Sequence, residues 1–292
     1  MIGLSNVGKT TFVSTMYAAL NDGYSGFTIR SGRPADHIRL RNSAEQIRRG
    51  IFPLPTDRRS IYPLQLWHVA NRVFDFNWRD YRGGALVESS TSPQAMQLRE
   101  DMKNADGLIF MVDSTELIQT QQSRARLRPV IATAVRLLSE CEVVIPVVLV
   151  LTKWDLVASR EKEALAGAHS LLGPLIDAVK GTQHLLGAII PVSCGTRPRN
   201  VELPALWCLH VGIFVRGTIL AQNIEFYKQR IQVAQRRSGI LDNIVSTWRG
   251  EPTWRAIAFQ TQEKMRNDQR QLEPLIVPSQ RLEPLFTSIT KF

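Results

Sequence analysis

The sequence has few cysteines, and their arrangement suggests neither a covalent nor a metal-bound framework. Three are present in 292 residues, and Cys141, Cys194 and Cys208 are far apart and form no CxxC pair. An odd number with such spacing argues against a disulfide scaffold and gives no zinc site. We therefore expect a protein of a reducing compartment, the cytoplasm.

Long hydrophobic runs are also missing, and the first residues do not have the pattern of a leader sequence. The most apolar stretches run from Val143 to Leu151 and from Ala205 to Val215, whereas a bilayer-spanning helix needs about 20 such residues. The first residues show no basic region followed by an apolar one, so we expect no signal peptide. The sequence therefore predicts no membrane span.

The composition is that of an ordinary globular protein, with 44% hydrophobic and 21% charged residues, which excludes collagen-like and wholly disordered classes. The net charge is +10, and most of the basic residues are arginine, which favours contact with phosphates, acidic proteins or nucleic acid. The arginines are dispersed and not interleaved with aromatic residues. Nucleic-acid binding is therefore an alternative that the pattern does not favour.

The chain opens with a phosphate-binding motif. Residues 3 to 10 read Gly-Leu-Ser-Asn-Val-Gly-Lys-Thr, which satisfies GxxxxGK[ST] and precedes a predicted helix from Thr11 to Leu20. The two glycines let backbone N–H groups point inward at phosphates, and the helix adds its positive end. We expect Lys9 to reach the β and γ phosphates and the Thr10 hydroxyl to bind Mg²⁺. The predicted phosphate-binding residues are Ser5, Asn6, Val7, Gly8, Lys9, Thr10 and Thr11.

Only Met1 and Ile2 precede this loop, fewer than the five or six residues of an average strand. The first strand is therefore expected to be truncated, or to begin upstream of Met1.

A second motif follows two predicted strands, Ser60 to Trp67 and Arg72 to Trp78, and reads Asp80-Tyr81-Arg82-Gly83. In this DxxG pattern the carboxylate of Asp80 can hold Mg²⁺ through water, and the N–H of Gly83 can approach a γ-phosphate. A solvated turn is the ordinary interpretation of DxxG, so the position after the first motif gives the prediction its weight.

The third motif selects a base. Two continuous apolar runs, ending near Asp113 and at Leu151, are typical of parallel strands that are buried on both faces. The second run leads into Thr152-Lys153-Trp154-Asp155, the [NT]KxD pattern. An ionised Asp155 only accepts hydrogen bonds, so it can pair with N1–H and the amino group of guanine, which adenine does not offer. Lys153 can lay its stem against the base, and the site is expected to select GTP over ATP.

A fourth, weaker signal closes the series. The apolar run from Leu185 ends in Ser193-Cys194-Gly195, where the backbone N–H groups of Ser193 and Cys194 could meet the guanine O6. All four motifs lie at strand ends, where α/β folds place ligands.

With these motifs in this order, the sequence resembles the TRAFAC-class P-loop GTPases, which include Ras-like and Era-like proteins, over residues 3 to about 222. The resemblance implies a three-layer α/β fold with a mostly parallel central sheet, and a GTP/GDP switch cycle that requires Mg²⁺. The P-loop wording is most similar to the Era and TrmE-related branch. The surroundings of Asp80, from Trp78 to Gly84, look more like bacterial double-GTPase domains linked to conflict or defence systems.

The resemblance also implies a switch I threonine that senses the γ-phosphate and Mg²⁺. Thr56 is the favoured residue and Thr28 is its rival. Lys9, Thr56, Asp80 and Gly83 are thus the predicted catalytic set, with Thr10, Thr56 and Asp80 around the metal.

The catalytic residue of many Ras-like enzymes is a glutamine directly after the DxxG glycine, but this chain has Gly84 there. Hydrolysis is therefore expected to be slow, to use another residue or to wait for a protein partner. Four arginines flank the switches and are candidates for a role in cis, although each is more simply a surface residue: Arg58, Arg59, Arg79 and Arg82. The resemblance allows K⁺ at Asn6 in place of an arginine, a loop-shaping asparagine being the simpler interpretation.

We place a GTPase domain at residues 1–222 and a C-terminal helical extension with a tail at residues 223–292. Within the tail, Leu-Glu-Pro-Leu occurs at 272–275 and again at 282–285, and its prolines favour an extended segment. The leading hypothesis is a GTP-hydrolysing switch with a protein effector or activator. The alternatives are a GTP-dependent scaffold with little hydrolysis and an RNA- or ribosome-associated GTPase.

Overall fold

The computed structural model describes residues 1–54, 59–81, 92–119, 125–140, 142–237 and 254–292. Its α-helices are α1 Lys9–Asp22, α2 Pro34–Arg48, α3 Pro93–Lys103, α4 Ser114–Leu117, α5 Arg128–Leu138, α6 Glu161–Lys180, α7 Leu203–Arg237 and α8 Trp254–Leu282. Its strands are β1 Phe27–Ser31, β2 Ser60–His68, β3 Asn71–Asp80, β4 Leu108–Asp113, β5 Ile145–Thr152, β6 Leu185–Pro191 and β7 Thr290–Lys291. Short 3₁₀ helices span Trp154–Arg160 and Glu283–Phe286.

One of the two sheets is mainly parallel and is built from strands β4, β5, β6 and β7. Strands β4, β5 and β6 pair in parallel, with Val112 opposite Leu151, and β7 adds a short antiparallel edge. Every residue of β4 and β5 is buried, as the continuous apolar runs predicted for strands covered on both faces. The α/β fold of a P-loop NTPase is thereby confirmed.

A second sheet is antiparallel, in the order β1-β2-β3. Met1 and Ile2 lie between this sheet and the parallel one. Ile2 donates to the Ile109 carbonyl at 2.8 Å and accepts from the Met111 N–H at 2.8 Å, while the Met1 amine donates to the Arg79 carbonyl at 2.8 Å. Ile2 therefore adds a parallel bridge to β4, whereas Met1 is bonded to the end of β3. The resemblance did not predict the size of the antiparallel sheet.

The predicted helix from Thr11 to Leu20 lies within α1, and the predicted strands from Ser60 to Trp67 and from Arg72 to Trp78 correspond to β2 and β3. Between Leu117 and Cys141 the described part of the chain includes α5, Arg128–Leu138. The predicted extended tail is wrong, because the first Leu-Glu-Pro-Leu lies inside α8 and the second forms a 3₁₀ helix.

Two compact units divide the chain, Met1–Gly212 with Leu282–Phe292, and Ile213–Arg281. This grouping differs from the predicted boundary at 222, since the last residues belong with the first unit. There Phe292 pairs with Gly187 through two backbone hydrogen bonds of 3.0 Å, which places the chain end on the edge of β6.

The second unit is built from parts of α7 and α8 that run antiparallel. Arg216 donates to Gln271 at 2.9 Å and Asn223 to Asp268 at 3.2 Å, and Leu220 and Leu275 are buried. Within the described ranges, one helix, Leu203–Arg236, is long and apolar enough to cross a membrane, with a mean hydropathy of 1.6. Half of that window is buried inside the protein, and core helices pass the same test, so this is weak evidence for a span.

Candidate functional site

The glycine-rich loop folds because two of its glycines have separate steric roles. Gly8 caps the N-terminus of α1 with a φ of 92°, which a residue with a side chain rarely adopts. At Gly3, a Cβ atom would lie 2.7 Å from the Met111 carbonyl oxygen of β4, so only glycine permits this approach. Asn6 also has a positive φ of 63°, a conformation that asparagine tolerates better than most residues. The loop thus turns tightly onto the start of a 14-residue helix.

Lys9, the first residue of α1, is buried at the floor of the loop. Its Nζ donates to the carbonyl oxygens of Gly3 at 2.9 Å and Leu4 at 2.8 Å. Burial lowers the pKa of Lys9, and the nearby charge of Asp80 partly opposes this effect. The ammonium is therefore held inside the loop by acceptors that an anionic ligand could replace.

Asp80, the last residue of β3, supplies a buried carboxylate close enough to Lys9 for electrostatic interaction. It is 5% exposed, and its Oδ1 has no hydrogen-bond partner. Burial raises the pKa of Asp80 to about 6, although the Met1 ammonium and Lys9 oppose the shift. An unpartnered buried carboxylate oxygen is a fitting ligand for a hard cation such as Mg²⁺.

The donor set around such a cation would be small. Within the described part of the chain, no group of three or more His, Cys, Asp and Glu side chains is placed to hold a metal ion. A cation here would therefore depend on the Asp80 carboxylate, the Thr10 hydroxyl and the oxygens of a bound ligand. Mg²⁺ commonly binds in this way, with one or two protein ligands plus substrate phosphates.

Thr152 connects the end of β5 to the glycine-rich loop. Its buried hydroxyl lies 2.8 Å from the Val7 carbonyl oxygen and 3.1 Å from that of Val112. The threonine of the TKWD motif therefore holds together the glycine-rich loop and the ends of two adjacent parallel strands. Sequence patterns alone placed Thr152 in the motif but did not predict this contact.

Lys153 follows in a left-handed conformation, with φ 54° and ψ 35°, and its side chain turns toward the end of β4. There its Nζ lies 2.5 Å from Oδ2 of Asp113. The other oxygen of Asp113, Oδ1, accepts from the N–H of Thr115 at 2.9 Å and from its hydroxyl at 2.7 Å. Sequence reasoning did not single out Asp113, because a polar residue at a strand exit has no distinctive signal.

Asp155 and the segment after β6 lie together. The Asp155 N–H donates to the Ser193 hydroxyl at 3.1 Å, and the Asp155 Oδ2 lies 3.9 Å from the position a Cβ on Gly195 would take. Burial raises the pKa of the Cys194 thiol to about 12, with a further contribution from the negative charge of Asp155. The Thr15 hydroxyl of α1 is 3.5 Å from the Cys194 carbonyl oxygen, so the serine-cysteine segment borders both Asp155 and α1.

The structure thus brings most of the predicted residues into two adjoining groups, one around Lys9 and Asp80 and one around Asp155 and Ser193, with Thr152 between them. Thr56 and Gly83 lie outside the described residues, as do Arg58, Arg82 and Gly84. Thr28, the rival for switch I, lies in β1 opposite Trp67.

Two of the arginines considered for catalysis in cis are already bound. Arg79 donates to Asp101 Oδ1 of α3 at 2.7 Å, and Arg59 forms an ion pair with Oδ2 of the same carboxylate. Asp101 is buried, so it holds both guanidinium groups at α3. Its partners lie far away in sequence, and the motif analysis therefore missed it.

A cavity of about 250 Å³ opens elsewhere in the first unit, beside Met1 and Ile2 and between residues of β3 and β4. Neither Lys9 nor Asp155 is among its lining residues. It is therefore separate from the site described above.

Comparison with known proteins gives one family. A family model described as Double-GTPase 2 matches residues 1–181, a range that includes the glycine-rich loop, Asp80 and the TKWD segment. No curated protein matches the chain.

Proposed function

Because the chain belongs to the Double-GTPase 2 family, and so carries a P-loop GTPase-type domain, we propose that it is a Mg²⁺-dependent switch that binds GTP and hydrolyses it slowly to GDP and phosphate. The hydrogen bond between the Thr152 hydroxyl and the Val7 carbonyl carries this proposal. It holds the start of the TKWD segment against the glycine-rich loop, which supports the proposal that one nucleotide contacts both.

Base selection is assigned to the group at the ends of β5 and β6. The Ser193 hydroxyl holds the main chain of Asp155, which leaves the Asp155 carboxylate free to accept two hydrogen bonds from guanine. Adenine presents no such pair of donors. Discrimination follows because the wrong base would leave a negative charge without its partners.

Phosphate binding is assigned to the loop and to Lys9. The inward-facing N–H groups and the N-terminus of α1 attract a polyphosphate, and Lys9 would exchange its two carbonyl acceptors for phosphate oxygens. Thr10 and Asp80 would hold the Mg²⁺, which neutralises developing charge on the phosphates when bound. Loss of the γ-phosphate would release the adjoining loops, with Thr56 and Gly83 as the proposed sensors.

Slow hydrolysis fits the engagement of Arg59 and Arg79 by Asp101, since neither guanidinium is placed to stabilise a transition state. A partner protein that supplies an arginine would raise the rate by roughly 10³- to 10⁵-fold. The same observation favours a second function, a GTP-dependent scaffold that barely turns over. In this proposal, K⁺ bound at Asn6 is an alternative to an arginine for stabilising the transition state.

The test combines calorimetry with a phosphate-release assay. We expect GDP and GTP to bind and ATP not to compete, with phosphate release that disappears in Lys9→Met. Lys162→Met is the matched control, because Lys162 is an exposed lysine of α6. Binding without Lys9-dependent release would leave the scaffold, and equal binding of ATP would contradict both functions. Equal rates in K⁺ and Na⁺ would remove the potassium hypothesis.

A further inference from the structure

Asp113 is a buried carboxylate that the proposed mechanism leaves without a role. It is the last residue of β4 and pairs in register with Thr152, one residue before Lys153. Its side chain is 12% exposed, and both of its oxygens are engaged, Oδ1 by Thr115 and Oδ2 by Lys153. Burial of a carboxylate is unfavourable unless it is paired, so this position needs an explanation beyond a polar strand end.

The hydrogen bonds to Thr115 account for only one of the two carboxylate oxygens of Asp113. They cap α4, a helix of only 4 residues, and a serine or asparagine would cap it equally well. The negative charge is required only by the second oxygen, which faces the ammonium of Lys153. The arrangement therefore fixes Asp113 from one side and offers its charge to Lys153 on the other.

Lys153 combines a constrained backbone with a partly exposed side chain. Its backbone is in the left-handed region. The residues on both sides are held, because the Thr152 hydroxyl donates to the Val7 carbonyl of the glycine-rich loop and the Trp154 N–H donates to the Val192 carbonyl at 3.2 Å. Its side chain is 37% exposed, and an unrestrained lysine side chain has considerable rotamer entropy. With Nζ bound to Asp113, the methylene groups between the backbone and Nζ are restricted to fewer conformations.

From this geometry we propose that Asp113 is a positioning residue for base recognition: its ion pair with Lys153 holds the lysine stem along the face of the guanine. This inference rests on the proposed function, since it takes the residues around Asp155 to be the base site. The lysine contacts the base through its apolar stem, and Asp113 acts only through the lysine. The chemical class recognised is a flat purine ring that carries hydrogen-bond donors at its edge.

The experiment compares a ligand that contains a guanine base with a phosphate ligand that contains none. Affinities for GDP and for inorganic tripolyphosphate are measured by calorimetry in the full chain and in Asp113→Asn, which keeps an oxygen for Thr115 and removes the charge. We expect GDP to bind about five-fold more weakly, the effect of losing a partly exposed ion pair, and tripolyphosphate to bind as before. The control is Asp106→Asn, an exposed aspartate just before β4, which should change neither affinity.

A double-mutant cycle separates positioning from a structural effect. In Lys153→Met, which keeps an apolar stem but no charge, adding Asp113→Asn should change GDP affinity by less than two-fold. Equal losses for GDP and tripolyphosphate, or a full five-fold loss in the Lys153→Met background, would overturn the inference. If the unaltered chain binds neither GDP nor GTP, the proposed function fails and this inference with it. If it binds them and Asp113→Asn binds GDP equally well, only this inference fails.

Discussion

Replacing Asp155 by asparagine should exchange the base preference of the site from guanine to xanthine. The change replaces one carboxylate oxygen by an amide NH₂ and keeps the size of the side chain. The remaining oxygen can still accept from N1–H, but the new NH₂ faces the 2-amino group of guanine, another donor. Xanthine has a carbonyl oxygen at that position, which the NH₂ can donate to.

The magnitude follows from one lost hydrogen bond and one new donor–donor contact. A hydrogen bond to a charged group contributes about 1.5–3 kcal/mol, and Asp155 is exposed in the structure, so solvent screening reduces its effect. We expect a loss of about 2–3 kcal/mol in GDP binding, which is roughly a 30- to 150-fold rise in Kd. XDP should gain affinity in the variant by a similar factor.

The assay is a pair of calorimetric titrations with GDP and XDP at fixed Mg²⁺. The unaltered chain should prefer GDP and Asp155→Asn should prefer XDP, so that the two selectivities cross. Asp177→Asn is the matched control, an exposed aspartate of α6 that changes the same charge away from the site. A loss of GDP affinity below three-fold, or an equal loss for both nucleotides, would refute the assignment of Asp155 to the base.

Three further predictions test other parts of the molecule. Thr152→Val removes the hydroxyl that joins β5 to Val7, so the Val7 carbonyl loses this buried donor and the free energy of unfolding in urea should fall by about 1–3 kcal/mol. Because the pKa of Cys194 is raised to about 12 in the folded chain, its thiol should stay unmodified by a thiolate-selective disulfide reagent at pH 8 and react once the chain is unfolded. The same shift stabilises the fold fully below pH 9, and the contribution is lost as the pH rises from about 9 to 12. Asp101→Ala leaves two guanidinium groups without their shared carboxylate, and should lower the free energy of unfolding by about 2 kcal/mol, since the arginines are partly exposed.

Each of these three predictions has an outcome that would contradict it. For Thr152→Val, unchanged unfolding with unchanged GDP affinity would mean that the hydroxyl does not join the two segments. Fast modification of Cys194 in the native chain would show that the thiol is not desolvated. Glu100→Ala, an exposed neighbour on α3, is the control for Asp101→Ala, and equal stability of the two variants would remove the double arginine contact.

The positions of the main site residues could be predicted from sequence because they depend on short-range rules. Gly8 and Lys9 are fixed by the loop-to-helix turn, and Thr152 and Asp155 follow a continuous apolar run. The carboxyl ends of parallel strands meet at one edge of a sheet, so motif order was sufficient to place these residues together.

The roles of Asp101 and Asp113, and the conformation of the C-terminal prolines, depend on long-range contacts that no local sequence pattern encodes. Asp101 binds Arg59, which directly precedes β2, and Arg79 of β3. Asp113 binds Lys153, which directly follows β5, so each aspartate looks like an ordinary surface acid in sequence. The prolines of the repeated Leu-Glu-Pro-Leu predict an extended segment, yet Pro274 lies inside α8. Its neighbour Leu275 is buried, and such packing can outweigh the hydrogen bond that proline removes.

The two halves of the site belong to different sheets, and this has a consequence for how a ligand would act. Asp80 ends the antiparallel sheet, whereas Thr152 and Asp155 follow strand β5 of the parallel one. In the described chain, the hydrogen bonds of Met1 and Ile2 provide the backbone link between these sheets. A nucleotide that engages the loop and Asp155, with a cation bound to Asp80, would bridge the same junction from the other side. Ligand binding and the joining of the sheets would then stabilise each other, because anything that binds only the assembled site favours the assembled state.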